Sequence, residues 1–425
     1  VYKRQGRSLW ESMEAAGNYL LDGKERAEPY SSEWLAYLGY WNSYGGYYSE
    51  IYRNRFDENT ILEIHSYYSS LGIKIHYLGL NVWEENIDGR VIEYKPRIEL
   101  YPRGLDYIVN TTGYDLLLHM GAWHPNNTYT KQYSFYWTKT DYTSQPLDPS
   151  IYDILFENFK QWGSIGIWHD FLRTQFYGSS YLRSKIGSSE EWMQWINNAL
   201  EKCNMTMMLC MPTTGFIQYS SKLETVLATR VYDDYAFKPG REGEYWWNYI
   251  LVGMLAYSYG LLPFDDVVRT DEPYARQEAI LRIYSAGPFG IGDRIGFTNT
   301  TLLSKAIMPS GETVKPDHPI IVFDYTIIDN EPWFAGYTTV NIGGVKWYLV
   351  LVINPSNTVV DYSLSIPWSN GYIVYDPENN MVIQSNVING SLRGLDLKYY
   401  VVAPVFNGKA FLVQETSIAL FLRLS

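Results

Sequence analysis

Two short stretches of the chain carry carboxylates that could act together on a substrate. The first, residues 164–171, reads SIGIWHDF and is an apolar run of strand length that ends in one acid, Asp170. The second, LATRVYDDY, carries Arg230 and then the adjacent acids Asp233 and Asp234. One ionised and one protonated carboxyl group on either side of an acetal are what cleavage of a glycosidic bond needs. The residue types therefore favour glycoside chemistry.

Such acids need a scaffold that gathers strand ends on one face. Strand-like and helix-like segments alternate through the first two thirds of the chain, which predicts parallel βαβ units. Eight such units in succession are typical of a (β/α)₈ TIM barrel, an α/β fold whose catalytic groups lie at the C-terminal ends of the strands. The predicted strands end near Tyr40, Val82, Gly121, Asp170, Met211, Tyr232, Phe264 and Gly292.

The hydrophobic periodicity of the sequence changes near residue 319. Strands of period two, such as 346–353 and 399–404, follow one another and are separated by Asn-Gly turns. We therefore expect a helical segment and linker over 1–32, a catalytic barrel over 33–318, and an all-β sandwich domain over 319–425. The opening VYKRQ lacks an initiating Met, so we expect the native N-terminus to be missing.

The composition argues against some classes of binding partner and cofactor. The 425 residues carry a net charge of −12 without any Lys/Arg cluster, which argues against nucleic acid. The spacing of Cys203 and Cys210 suits neither a disulfide framework nor a metal motif, so we expect no metal and no cofactor. The run 249–264 is too short and interrupted to span a membrane. The 40 Tyr and 15 Trp suit sugar stacking, but also strands and interfaces. A homo-oligomer is compatible with this composition, and the compartment stays open with the cytoplasm favoured.

The order of several motifs resembles glycoside hydrolase family 36, which contains α-galactosidases and raffinose-synthase-like enzymes. The resemblance covers residues 33–325. The matching segments are YPRGL at 101–105, GIWHDF at 166–171, MLCMP at 208–212, TRVYDDY at 229–235 and GPFGIGDRIG at 287–296.

This resemblance implies a retaining α-glycosidase acting on an oligosaccharide or α-glycoside. Asp170 would be the nucleophile and Asp233 the acid/base, with Asp234 as the alternative acid. The implied substrate-binding candidates are Trp41, Trp83, His124, Trp168, Arg173, Cys210, Arg230 and Asp293.

Three departures from the family pattern put galactose in doubt. The family has paired Asp residues before a Trp at the second strand end, where this chain reads Leu80-Asn81-Val82-Trp83. The family has a Lys two residues before the nucleophile, and this chain has Trp168 at that position. The family has a Ser directly before the acid/base, and this chain has Tyr232 there. The catalytic pair is thus retained while the residues that would read the sugar are changed.

The candidate site residues also have purely structural interpretations, which stay open. Asp170 could cap the following helix, and the 233–234 pair could be solvated. The three Trp could be core residues, and Asp293 could pair with an arginine. For function, an α-galactosyl transglycosylase and a non-catalytic carbohydrate-binding relative remain alternatives to hydrolysis, because transfer uses the same carboxylates and binding needs neither.

Overall fold

The computed structural model describes residues 8–51, 53–232, 234, 242–368, 371–406 and 409–410. Its centre is a sheet of eight parallel strands, which we number β1 to β8 in chain order. These are β1 Gly39–Trp41, β2 Tyr77–Leu80, β3 Asp115–Met120, β4 Ser164–His169, β5 Thr206–Leu209, β6 Val226–Arg230, β7 Leu262–Phe264 and β8 Gly290–Ile291.

The eight strands follow one another around the sheet, and the sheet curls on itself. β1 pairs with both β2 and β8, so the first and last strands are neighbours. The other junction, between β7 and β8, is bridged by Val268, which pairs in parallel with Ile291 and whose N–H donates to Gly290 O at 2.9 Å. This arrangement confirms the (β/α)₈ barrel that the sequence predicted.

Helices surround the sheet, and their ends follow local sequence rules. The Asp57 carboxylate accepts a hydrogen bond from Thr60 N at 2.9 Å and so caps the N-terminus of the helix that follows it. The helices are α1 Leu9–Leu21, α2 Glu33–Ala36, α3 Tyr48–Ile51, α4 Glu58–Ser70, α5 Leu105–Thr112, α6 Ser150–Gln161, α7 Leu172–Gly178, α8 Ser180–Ser184, α9 Ser188–Cys203, α10 Thr214–Tyr219, α11 Glu242–Ser258, α12 Ala275–Tyr284, α13 Thr300–Leu303 and α14 Asp324–Ile328. In the part of the chain that the structure describes, no helix combines the length and apolarity needed to cross a bilayer.

A short helix replaces the first part of one predicted strand. The sequence predicts a strand that ends near Tyr40, but α2 occupies residues 33–36 and β1 begins only at Gly39. Ser32 precedes α2 in the extended conformation that is usual before a helix. The burial of Trp34, rather than its β propensity, decides the conformation here, because a helical turn places that ring inside the barrel.

After β8 the chain forms antiparallel sheets. A large sheet and a two-stranded sheet, formed by Val360–Ser365 and Val387–Leu392, enclose a second apolar core. This core includes Trp333, Val352 and Tyr362. The large sheet packs on the barrel through α11, where Trp247 meets Phe334 edge to face at 4.5 Å. The strands are β9 Ile321–Val322, β10 Phe334–Ile342, β11 Val345–Asn354, β12 Val360–Ser365, β13 Tyr372–Asp376, β14 Met381–Ile383, β15 Val387–Leu392, β16 Asp396–Phe406 and β17 Lys409–Ala410.

Short strands outside the central sheet lie at the C-terminal face of the barrel. After β2 the chain turns at Val82, whose φ is 55°, and enters a hairpin that pairs in parallel with a short strand after β3. The segment 126–149 contains a short 3₁₀ helix and a small hairpin. The strands of these additions are Glu84–Ile87, Arg90–Pro96, Ala122–Trp123, Phe135–Tyr136 and Gln145–Pro146.

Candidate active site

Asp170 lies directly after β4, at the C-terminal end of the barrel, and is 6% exposed. Its Oδ1 accepts a hydrogen bond from Phe171 N at 2.6 Å, and its Oδ2 lies 3.4 Å from His119 Nε2. The residue at the N-cap of α7 is Phe171, and it makes no side-chain cap. Asp170 is therefore not the N-cap of α7, and the interpretation of this residue as a helix cap is wrong.

The charges around Asp170 keep it ionised. Burial by itself would raise the pKa of this carboxyl, because desolvation disfavours the charged form. The His119 imidazolium, the Arg230 guanidinium and the Phe171 N–H outweigh that penalty and hold the pKa at about 2. A buried carboxylate that remains anionic across the physiological pH range can act as a nucleophile.

His119 is the second-last residue of β3 and is buried between two acids. Its Nδ1 lies 3.3 Å from Glu84 Oε1, on the side opposite Asp170. Burial favours the neutral ring, but Glu84 and Asp170 together raise the pKa of His119 to about 9. The neighbouring His169 has no such pair of acids, and burial lowers its pKa to about 3. Of these two adjacent imidazoles, only His119 is charged at neutral pH.

Arg230 ends β6 and gathers a second set of acids at the same face. It forms an ion pair with Asp234, and its Nη1 lies 3.8 Å from Asp266 Oδ2, just after β7. The Tyr44 hydroxyl, from the loop after β1, donates to the other oxygen of Asp234. Asp233 lies outside the described residues. Asp234 thus belongs to the same face of the barrel as Asp170, with Arg230 acting electrostatically on both.

At the end of β2, where the family pattern has paired Asp residues, this chain has Asn81, which is hydrogen-bonded to Asn42 at the end of β1. Asn42 Nδ2 donates to Asn81 O at 3.1 Å, and Asn81 N donates to Asn42 Oδ1 at 2.8 Å. Asn81 Nδ2 also reaches Ser43 Oγ at 3.3 Å. The Asn42 side chain bonds to the backbone of Asn81 and the Asn81 side chain bonds to Ser43, so the two residues hold the strand ends together.

Three of the predicted substrate-binding residues lie inside the barrel, below the carboxylates. The rings of Trp41 and Trp168 are within 5.3 Å of each other, and both are at most 1% exposed. Gly79 and Gly290 make room for Trp41, since a Cβ at either position would lie under 3.0 Å from its ring. Cys210 is fully buried in the same cluster, and burial raises the pKa of its thiol.

Trp83 lies outside the barrel. Its ring packs edge to face on Phe159 and Trp162, next to α6, and its Nε1 donates to His119 O at 2.9 Å. The left-handed turn at Val82 explains this position, because it breaks the alternation of the strand and sends Trp83 outward while Glu84 turns in. No ring face of Trp83 is open to a sugar in this arrangement.

The remaining candidates occupy three further places. His124 is partly exposed next to Arg90 and accepts a hydrogen bond from Asn126 N at 3.0 Å. Arg173 is exposed at the start of α7. Asp293 is fully buried and accepts hydrogen bonds from Thr270 N at 2.7 Å and Thr270 Oγ1 at 2.6 Å. Burial raises the pKa of Asp293 to about 6.

Sequence reasoning missed three residues of the site: Glu84, His119 and Tyr44. His119 had a local signal, since it is the single ionisable side chain late in the apolar run LLLHM. Glu84 and Tyr44 had none. Glu84 follows the left-handed residue Val82 and Tyr44 is itself left-handed, so strand alternation does not predict which face either side chain takes. Among the residues that the structure describes, no group of three or more His, Cys, Asp or Glu side chains could hold a metal ion.

Comparisons with known proteins identify the fold. No family model matches the chain, and no curated protein sequence matches it. A β-L-arabinopyranosidase of glycoside hydrolase family 27 from Geobacillus stearothermophilus has a TM-score of 0.63 at 11% identity, covering 88% of this chain and 100% of the other. At that identity the likeness establishes the architecture.

Two further solved structures share this architecture. A Bacillus halodurans protein assigned as an α-N-acetylgalactosaminidase has a TM-score of 0.59 at 12% identity, covering 89% of this chain and 99% of the other. A Bacteroides fragilis protein assigned as an α-galactosidase has a TM-score of 0.58 at 14% identity, covering 88% and 81%. The chain therefore shares the barrel-plus-β-domain fold of these three proteins, while membership of family 36 stays a prediction.

Proposed function

We propose that this protein is a retaining α-glycoside hydrolase of the α-galactosidase kind, with Asp170 as the nucleophile. The observation that carries the proposal is the state of Asp170. It is a buried carboxylate at the C-terminal end of a barrel strand, flanked by His119 and Arg230, which keep it ionised. The fold shared with glycosidases of several specificities supports the same reaction class.

The reaction would take two steps. In the first, an Asp170 oxygen bonds to the anomeric carbon as the bond to the leaving oxygen breaks, and a second carboxyl group gives that oxygen its proton. In the second, water attacks the same carbon, its proton returns to the second carboxylate, and Asp170 leaves as the anion. Two inversions give net retention.

Two adjacent residues compete for the role of the second carboxyl. The order of motifs favours Asp233, as predicted. The contacts of Asp234 with Arg230 and Tyr44 favour Asp234, because both partners belong to the C-terminal face of the barrel. The alternation of side chains that we expect from the sequence would let only one of the two acids face the substrate.

The sugar is the least constrained part of the proposal. The neighbours named above act on, or are assigned to, β-L-arabinopyranosides, α-galactosides and α-N-acetylgalactosaminides. β-L-arabinopyranose has the ring configuration of α-D-galactose without its hydroxymethyl group. All three therefore present one arrangement of ring hydroxyls with different substituents. We propose a sugar of this configuration.

A panel of aryl glycosides tests the proposal. It should contain α-D-galactoside, β-L-arabinopyranoside, α-N-acetylgalactosaminide and, as the epimeric control, α-D-glucoside. We expect cleavage of one of the first three, with the first-formed sugar keeping its anomeric configuration by NMR. Inversion would exclude Asp170 as a nucleophile, and failure on the whole panel would favour a carbohydrate-binding relative. Adding acceptor sugars separates hydrolysis from transfer, since transfer gives a larger saccharide.

A further inference from the structure

One buried group next to Asp170 has no role in the two steps above. His119 lies between Glu84 and Asp170, and each of its ring nitrogens faces a carboxylate oxygen, at 3.3 Å and 3.4 Å. All three residues are at most 6% exposed. They come from the hairpin after β2, from β3 and from the end of β4, so the fold alone brings them together.

The geometry is that of an imidazolium. A neutral imidazole carries a single N–H, so its other nitrogen would direct a lone pair at a carboxylate. In a buried site that repulsion is not screened by water. Glu84 Oε2 meets no hydrogen-bond donor among the described residues, which leaves His119 as the cation that compensates Glu84. The contact with Asp170 is an ion pair, since His119 Nε2 makes no well-formed hydrogen bond there.

The charged and titratable groups around this trio come from several elements. Asp170 faces His119 from β3, Arg230 from β6 and the Cys210 thiol at the end of β5, with His169 next to it in its own strand. Arg230 is shared with Asp234 and Asp266, so its charge is divided among three acids.

We propose that His119 is a positioning residue for the nucleophile, held as an imidazolium by Glu84. The ring of Trp168, two residues before Asp170, meets the His119 ring edge to face at 5.9 Å. The inference rests on the proposed function, because it assigns a role to a neighbour of Asp170.

Glu84 has a distinct part in this arrangement. When Asp170 becomes a glycosyl ester, its negative charge disappears, and His119 would lose one of its two stabilising acids. Glu84 keeps its charge through that step and so keeps His119 protonated. The imidazolium then stabilises the carboxylate that reappears on Asp170 as water displaces it. No proton is transferred by His119 at any stage.

Two variants and a matched control test the inference. Glu84→Gln removes the holding charge with little change of shape, His119→Gln removes the imidazole, and Glu85→Gln changes the next acid of the same hairpin. We expect His119→Gln to lower kcat on the cleaved aryl glycoside about 100-fold. Glu84→Gln should lower it about 10-fold and shift the alkaline limb of the kcat profile toward acid by about one pH unit or more. Glu85→Gln should follow the wild type.

An NMR titration separates this inference from the proposed function. The ¹⁵N signals of the His119 ring, assigned by their loss in His119→Gln, should show an imidazolium at pH 7.5 in the wild type. A neutral ring at that pH would overturn the inference whether or not the enzyme cleaves a glycoside. An alkaline limb in Glu84→Gln that coincides with that of Glu85→Gln would overturn it as well. If no glycoside is cleaved while the ring is charged, the proposed function fails, and the positioning role fails with it.

Discussion

Two buried charge clusters lie at the C-terminal end of this barrel, and they differ in the cation at their centre. Between β3 and β4, His119 joins Glu84 and Asp170. Beside β7, Arg282 of α12 joins Asp265 and Glu278, with its Nη1 and Nη2 at 3.7 Å and 3.5 Å from their carboxylates. Each cluster places one cation between two acids, away from water.

The difference lies in whether the cation can lose its proton. Arg282 is charged at every pH that a folded protein meets, and its ring contact with Tyr249 at 4.5 Å holds the guanidinium in the core. His119 titrates, with a pKa of about 9. The arginine cluster therefore keeps its charge at every pH, whereas the histidine cluster loses its cation as the pH rises through about 9. The predictions below test that division.

The largest effect is expected at Asp170, the proposed nucleophile. Asp170→Gly should lower turnover about 10⁴-fold or more, because no covalent intermediate can form. Azide added to this variant should restore some product, with the configuration inverted, since a small anion fits the vacated space. The measurement is the rate of aryl release together with NMR of the glycosyl azide. Rates close to those of the wild type would remove Asp170 from the mechanism.

The second effect separates the two candidate acids. Alanine at the true acid/base should slow substrates with poor leaving groups about 10²- to 10⁴-fold and activated aryl glycosides far less, because a good leaving group departs without a proton. The motif order predicts this pattern for Asp233→Ala. If Asp234→Ala shows the leaving-group dependence and Asp233→Ala does not, the acid/base is Asp234, as its contacts with Arg230 and Tyr44 favour.

A third prediction concerns the arginine cluster. Arg282→Met should destabilise the fold by about 3–5 kcal/mol, because it leaves Asp265 and Glu278 buried without their cation. Urea unfolding at pH 7 measures this. Lys202→Met is the control, since it breaks an exposed pair with Asp153, and it should cost no more than about 1 kcal/mol. Equal losses in the two variants would show that the Arg282 cluster contributes no more than a surface pair.

The smallest effect is a pH dependence of opposite sign at two adjacent histidines. The pKa of His119 is raised from 6.5 to about 9, so its contribution is complete below about pH 6.5 and is lost as the pH rises to 9. That loss is on the order of 3 kcal/mol. The pKa of His169 is lowered to about 3, so its contribution is lost as the pH falls from 6.5. The free energy of unfolding, measured from pH 5 to 9.5, should therefore lose its alkaline slope in His119→Gln and its acid slope in His169→Gln. An alkaline slope that persists in His119→Gln would contradict the assignment.

Much of the scaffold was already determined by the sequence. Alternating strand and helix patterns predicted the eight-stranded barrel, and the period-two strands after residue 319 predicted the antiparallel sheets that follow it. Asp170 could be located because it ends an apolar run, and parallel strands of a barrel bring such ends to one face. These inferences depend on periodicity within short segments, which neighbouring residues determine.

Only the tertiary structure decided which side chains meet. Trp41, Trp83 and Trp168 looked alike as possible sugar platforms, yet two fill the barrel interior and the third packs outside it. The turn at Val82 determines where the side chains of Trp83 and Glu84 point. One residue with positive φ reverses the side of the chain that each following side chain takes. Likewise, Glu84, His119 and Asp170 lie far apart in sequence, and their contact depends on barrel closure and the pairing of the hairpin after β2. The run LLLHM marks His119 as unusual, but no single segment encodes a contact that long-range packing makes, so only the folded chain shows His119 next to Asp170.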